Sequence, residues 1–410
     1  MLTQTDPNGL TTEYLDDVFG TYKYEKKPDG TETRIVKFLA EPGSPNQAAY
    51  YIRTDRSGIA PGITWYDLYD RKLRESAIYF DSSEAFTDYK YSQAGELIQK
   101  SLPYFPGTSV LWTSFEFDPV GRVLKEIAPG DRVTQYVYSG LRKEVIDPKG
   151  NRSIREENPR GLLLRATDAY DQIVEYKYDS GDHLRELIDP HGNKTEITYD
   201  IFGHRSSLQD PDTGITSYLY SPLGELISET ASDGTLTNYT YDKIGRVLTQ
   251  TTEEGVAEWS YDQAEHGVGG ISEIRGPQGD REVRFYDPYS RLIRTNLIFE
   301  GKTYTEKRSF DSVGRVSKLT YPSGFEVENI YGVAGDLSEV RRADDNSLLW
   351  RRIEASPFGT SLKEEFGNGV GTLRSLYPET GLLERIKSGI NFGTEVQDLK
   401  ITQDKLGNVT

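Results

Sequence analysis

Short runs of alternating apolar and polar residues stop at a turn about every ten residues along this chain. In "TNYTYDKIGRVLTQT" (237–251), Tyr239 and Tyr241 are separated by one polar residue. Period two places both rings on one face of a strand. The pairs Tyr218/Tyr220 and Tyr176/Tyr178 repeat the pattern. "DKIG" follows, then a second apolar run that starts at Val247. Asp at the first and Gly at the fourth position suit a type I turn: the Asp side chain caps backbone N–H groups, and Gly tolerates the exit conformation. The phrase predicts two strands of about seven or eight residues joined by a tight turn, one hairpin per repeat. No segment sustains the i, i+3, i+4 apolar spacing of a capped helix, which argues against a helical solenoid.

With the Tyr as position zero, Asp falls at +1, Gly at +4, a charged residue at +5 and apolar residues at +6 and +7. Copies begin at Phe117, Tyr138, Asn158, Tyr178, Tyr199, Tyr220 and Tyr241, spaced 21, 20, 20, 21, 21 and 21 residues apart. Looser copies follow at Tyr261, Tyr286, Phe310 and Tyr331, and others precede them at Tyr66 and Tyr91. The residues expected to shape these turns are Tyr178 with Asp179, Tyr199 with Asp200 and Gly203, and Tyr220 with Gly224. Tyr241, Asp242, Gly245 and Arg246 form the most complete copy, and Asp311, Gly314 and Arg315 a later one. A second turn lies half a repeat away: "DPKG" at 147–150, "DPHGN" at 189–193 and "YPSG" at 321–324. The expected fold is all-β, an array of antiparallel hairpins of about 21 residues set side by side as one long sheet with a Tyr ladder across it.

The whole chain, 1–410, reads as a single array. Repeats are irregular over 1–116, most regular over 117–260 and degenerate over 261–410. Long loops or broken hairpins are expected at 40–64, 101–112 and 262–280. "DPNG" at 6–9 opens the pattern at once, and "ITQDKLGNVT" stops within a repeat. The expectation is a piece of a longer polypeptide, with Met1 the only Met.

Composition narrows the chemistry. The net charge of −17 is spread evenly, which disfavours nucleic acid as a partner. The absence of Cys removes disulfides, thiolate metal sites and a Cys nucleophile. No apolar run is long enough to span a membrane as a helix, and the N-terminus lacks the pattern of a signal peptide. No metal, cofactor or catalytic residue is expected. Acidic turns such as "DPDTG" and "TEEG" lack the ligand ladder of a calcium loop, "GVGG" at 267–270 leads into a strand and not a helix, and no carboxylate pair or nucleophile elbow stands out. His183 and His204 both occupy +5, where other copies carry Arg. They form a candidate pH-sensitive pair, weighed against a plain exchange of His for Arg at a solvated turn exit.

The repeated "YDxxGR…DPxG" phrase resembles the RHS, or YD-repeat, family, which includes bacterial RHS toxins, the B and C components of insecticidal toxin complexes, and teneurins. "YPSGFEVENIYG", "FGNGV" and "YPETGLL" are similar to the stretch before the core of toxin-complex-like members. The resemblance implies a curved sheet, a segment of a spiral shell that in toxin members encloses a C-terminal effector. It implies as partners the remaining repeats and RHS core of the parent chain and the enclosed effector, in a secreted or cell-surface protein. The chain shows no RHS core, N-terminal propeller, self-cleaving Asp pair or effector domain, so the resemblance supplies no catalytic residues. A structural shell segment is expected, and not an enzyme. The alternative is a cell-surface adhesion or carbohydrate-binding module in which Trp65, Trp112, Trp259 and Trp350 stack on glycan.

Overall fold

The computed structural model describes residues 2–18 and 20–410. Among them are 36 β-strands and no helix. Among the described residues no helix is long and apolar enough to cross a membrane. Each described strand pairing is antiparallel and joins strands adjacent in sequence, as hairpin chains require. The regular repeats follow the alternation they predict. In the strand Leu236–Tyr241, Tyr239 and Tyr241 are half-buried while Asn238 and Thr240 between them are exposed.

Residues group into two compact units. The first holds 1–133, 286–294 and 305–410; the second holds 134–285 and 295–304. In the second unit, consecutive hairpins run without interruption from the strand Arg132–Ser139 to the strand Arg281–Tyr286. The first unit contains two such strips, Leu2–Thr5 to Val123–Ala128 and Lys302–Phe310 to Gln397–Lys400. Successive turns alternate between the two long edges of a strip. One edge, the clasp edge, carries the Asp-x-x-Gly turns that follow position zero; the opposite edge carries the second set.

Within the first unit the clasp edge of the later strip meets the opposite edge of the earlier one. Arg315 Nη1 donates to Gly58 O (2.8 Å), and Tyr79 Oη to Pro357 O (2.7 Å). Ala355 N donates to Asp81 Oδ2 (3.2 Å), and Arg132 Nη2 to Glu379 O (3.0 Å). The partners lie 247 to 278 residues apart in sequence. Burial concentrates here: Ala85, Val327, Ala334 and Ala355 are the buried apolar residues. The sheet has no conventional core. The chain exposes 24465 Å², about one and a half times the ~16,000 Å² of a globular protein of its mass. Cross-strand side-chain pairs, at roughly 0.2–1 kcal/mol each, carry the stability that a core would otherwise supply.

Three local expectations are corrected. The copy assigned to Asn158 starts one residue earlier. Glu157 pairs with Leu163 across a bulge, as Tyr178 does with Leu184, and Asn158 takes the turn-capping place of Asp. The Tyr138 copy closes by a two-residue turn, Ser139 opposing Arg142, with Gly140 at φ 58°. A Gly of positive φ at the first central position suits that hairpin. Finally, 40–64 is not all loop: Tyr50–Arg56 and Ile59–Tyr66 are long paired strands. Their two-residue turn, Ser57–Gly58, falls inside the phrase Asp55-Arg56-Ser57-Gly58, and Thr54 stands before that Asp where other copies carry an aromatic, so the repeat spacing did not reveal them.

Candidate functional site: a clasp from each hairpin to the next

Each clasp begins with the turn Asp. At Asp242, Oδ1 accepts the N–H groups of Ile244 (3.0 Å) and Arg246 (2.9 Å), and Oδ2 accepts Arg246 Nε (2.7 Å). Gly245 N donates to Asp242 O (3.1 Å), and Gly245 sits at φ 83°, open to Gly at no steric cost. These hydrogen bonds, the Arg246 backbone N–H first among them, hold the Asp242 carboxyl below its usual range. The arrangement recurs at Asp67, Asp118, Asp287 and Asp311, each with Arg four residues on.

The Arg then reaches the next repeat. The Arg246 guanidinium lies 4.3 Å over the Tyr261 ring, Arg315 4.3 Å over Tyr331, and Arg291 4.4 Å over Phe310. Tyr261 Oη donates to Val247 O (2.9 Å) and Tyr331 Oη to Val316 O (2.8 Å), returning to the strand that follows the first turn. Tyr178, Tyr199 and Tyr241 donate likewise to Leu163, Leu184 and Leu226. Arg246 also grips Asp262 of the next turn, whose carboxyl falls to about 2 chiefly through that contact. Position +5 is therefore more than a turn exit. It is a cation plate between two repeats, fixed by its own Asp and stacked on the following aromatic.

His183 and His204 occupy the same place. His183 Nδ1 lies 3.2 Å from Asp179 Oδ2 with its ring stacked on Tyr199 at 4.8 Å. His204 lies 3.0 Å from Asp200 Oδ2 and stacks on Tyr220 at 4.9 Å. Each imidazole thus replaces a guanidinium between repeats and faces its neighbour's Tyr, not the other His. Gly203 and Gly224 lie beneath the two rings; a Cβ there would come within 3.1 Å and 2.9 Å of the imidazole Nε2. Tyr220 and Gly224 belong to a copy in which Ser221 and Glu225 replace Asp and Arg, joined by a 2.8 Å hydrogen bond.

The four Trp do not form one platform. Trp259 shares a face with Tyr261, and Trp350 pairs through Val340 and Asn329 with the face of Tyr331. Trp65 and Trp112 lie on the faces opposite Tyr66 and Phe117. Trp65 belongs to an aromatic line that the sequence reading missed: Phe38 stacks on Tyr51 at 5.0 Å, and Trp65, Phe86 and Tyr104 continue at 6.1 to 6.4 Å. Its signal was an adjacent aromatic pair in each of two neighbouring strands, Tyr50 with Tyr51 and Trp65 with Tyr66, one ring to each face. Beside it is a 500 Å³ cavity lined by Arg74, Asp88, Lys90 and Trp112 among others. Its charges are engaged within the sheet. Arg74 and Tyr104 both donate to Asp88, and Lys90 lies 3.8 Å over Trp112. Desolvation and the Asp88 hydrogen bond push Tyr104 up to about 12. No cluster of three or more His, Asp or Glu suited to a metal occurs among the described residues.

A family model, the Teneurin YD-shell, matches residues 163–349. Solved structures superpose over nearly the whole chain. TcdB2-TccC3 matches with a TM-score of 0.77 and 17% identity over 100% of this chain and 27% of its own. TcdB2-TccC3-TEV gives 0.74 and 19% over 93% and 22%. The Tc holotoxin pore of Photorhabdus luminescens gives 0.72 and 19% over 92% and 22%. The chain thus spans about a quarter or less of the structures it matches. At these identities the likeness establishes the fold. No curated protein matches the sequence.

Proposed function

We propose that this chain, which belongs to the RHS/YD-repeat family, is a structural segment of a shell wall that keeps a polypeptide effector from its surroundings. The carrying observation is the edge-to-edge seam of the first unit. A wall must be thin and must seal, and here two single-layer strips lock turn to turn at a nearly constant sequence separation of 247 to 278 residues. The clasp residues of Tyr178–Asp179, Tyr199–Gly203, Tyr241–Arg246 and Asp311–Arg315 hold the wall together and take no part in chemistry. The partners in this reading are the other repeats and core of a longer parent chain and the enclosed effector, in a secreted or cell-surface protein. The glycan-binding alternative retains only Trp65 and Trp112 as a shared platform, since the other two Trp lie on the Tyr face.

The test is made on the native parent polypeptide. It is purified under native conditions, and intact masses are compared before and after denaturation. A smaller polypeptide that stays bound and protease-resistant until denaturation is the expected result. A single uncut chain with nothing enclosed overturns the sequestering role. Quenching of Trp fluorescence by added glycan would favour the alternative.

A further inference from the structure

On the clasp edge of the earlier strip, the connection 40–49 is longer than the turns beside it at 67–71 and 92–96. The protein's own backbone fixes it. Ala40 N donates to Ala49 O (3.0 Å), Ala49 N to Tyr66 O (2.8 Å), Ser44 N to Glu41 O (3.0 Å) and Ala48 N to Pro45 O (3.0 Å). Gln47, third in the turn Pro45–Ala48, sits at φ 70°, backbone that Gly adopts freely and Gln does not. Two cavities open beside this loop, of 500 Å³ and 750 Å³, and Gln47 and Arg71 line both. Each lies in the size range of small-molecule sites, roughly 300–1,000 Å³.

Every charge in the lining is already matched. Arg71 Nε donates to Asp67 Oδ2 (2.7 Å), and Arg74 Nη2 to Asp88 Oδ2 (2.8 Å). Lys90 Nζ donates to Gln99 Oε1 (3.1 Å) and lies 3.8 Å over Trp112. What is left without a hydrogen-bond partner among the described residues is neutral: the side-chain amides of Asn46, Gln47 and Gln93, and the hydroxyls of Tyr69 and Tyr91. Tyr91 stands at position zero, where Tyr178, Tyr199, Tyr241, Tyr261 and Tyr331 each donate to a backbone carbonyl. Its own hydroxyl makes no such bond, and burial pushes it above its usual range.

We infer that this cleft binds a neutral oligosaccharide, with Asn46, Gln47 and Gln93 hydrogen-bonded to its hydroxyls and Tyr69 against a sugar face. A primary amide offers two donors and an acceptor, and a sugar hydroxyl donates and accepts at one oxygen, so it satisfies amide and phenol alike. The C–H face of a pyranose packs on an aromatic ring. A charged saccharide meets no free counter-charge here, and a chain of net charge −17 repels an anionic one. An extended peptide adds to a free strand edge, whereas the strands that line the cleft are paired on both sides. Gly would suit the turn at 47 better, so the amide is kept for what it meets across the cleft. The site rests on the glycan-binding alternative, moves it from Trp65 to this cleft, and needs nothing enclosed, so the mass comparison above and the test below fail independently.

The 410-residue chain, carrying a fluorescent tag at its C-terminus, is applied to an array of neutral, sialylated and sulfated glycans. The strongest neutral ligand is then titrated by calorimetry. Binding to neutral members and not to anionic ones is expected. Gln47→Gly should weaken it by about tenfold, the loss of a hydrogen-bonding amide, while the chain melts no lower than the parent because the turn gains the residue it favours. Gln93→Ala should weaken binding in the same direction, and Trp65→Phe should leave it unchanged. No neutral glycan bound, or binding confined to anionic glycans, overturns the inference. So does neutral binding that survives Gln47→Gly and Gln93→Ala; if Trp65→Phe abolishes that binding, the glycan alternative stands on the Trp platform instead. A neutral Pro-rich peptide that binds where no glycan does, and is lost in the same variants, overturns it as well and makes the cleft a peptide site.

Discussion

Ser290 shows how local the physics of this chain is. It stands at +4 of the Tyr286 copy, where most copies have Gly, and holds φ 60°. Its hydroxyl Oγ is buried without a hydrogen-bond partner. Left-handed backbone costs a non-Gly residue roughly 1–2 kcal/mol, and an unpaired buried hydroxyl adds about 1 kcal/mol or more. Ser290→Gly removes both and should stabilise the protein by about 1–2 kcal/mol. A urea midpoint that rises with unchanged slope is the expected outcome; no change or a fall would show that the turn is relaxed as it stands. Asp70 and Asp182 hold the same position with φ 60° and 68°, but each has a partner to lose, Tyr50 Oη for Asp70 and Arg160 for Asp182. Spacing alone made this position legible. In "YDSGDHLR" the visible Gly181 is not the residue with positive φ; counting from Asp179 finds Asp182. The unpaired hydroxyl of Ser290 leaves no trace in sequence, because it depends on what covers the turn.

Within one hairpin the clasp couples a turn to the aromatic of its successor, and two glycines separate the contributions. Gly245 has open space around a prospective Cβ, apart from Glu225 Oε1 at 3.7 Å, whereas at Gly224 a Cβ would lie 2.9 Å from His204 Nε2. Both have φ 83°. Gly245→Ala should cost the backbone term alone, roughly 1–2 kcal/mol. Gly224→Ala should cost about 1 kcal/mol more, because the imidazole must leave its stack on Tyr220. In a His204→Ala background the excess should vanish. Equal costs for the two alanines in the parent background would mean that the stack contributes nothing. Hairpins, turns and the Tyr face were legible from period and phrase because each is a local choice of residue. The clasp was only half legible: Arg at +5 was visible as a recurring position, but its target lies a whole repeat away. The Tyr50–Tyr66 hairpin was missed because its strands are long and its Asp-x-x-Gly, Asp55 to Gly58, follows Thr54 and not an aromatic, with Asp55 and Arg56 inside the strand.

Across the molecule, stability is a sum of nearest-neighbour terms, and the same turn carboxylates recur throughout that sum. The seam of the first unit was not legible at all: nothing in "RSGIA" marks Gly58 as the seat of Val313, since turns of one edge read alike whether covered or bare. The Asp ladder, by contrast, was legible and predicts the response to acid. Asp118, Asp179, Asp242 and others titrate below 3.8 in the folded state, held down first by the backbone N–H groups of Arg122, His183 and Arg246. A carboxyl depressed on folding contributes stability that is present above its unfolded value and lost as pH falls through the folded one. The opposing term is net charge. At −17 the chain repels itself at pH 7, and protonation of its unpaired carboxylates relieves that first. Tm should therefore hold or rise slightly from pH 7 to about 4.5, then fall steeply below about 4 as the turn carboxylates protonate together. Asp262, held near 2 by Arg246, should be among the last to give way. A Tm that declines between pH 7 and 5, or stays level down to pH 2, would show that the turn carboxylates do not hold the array together.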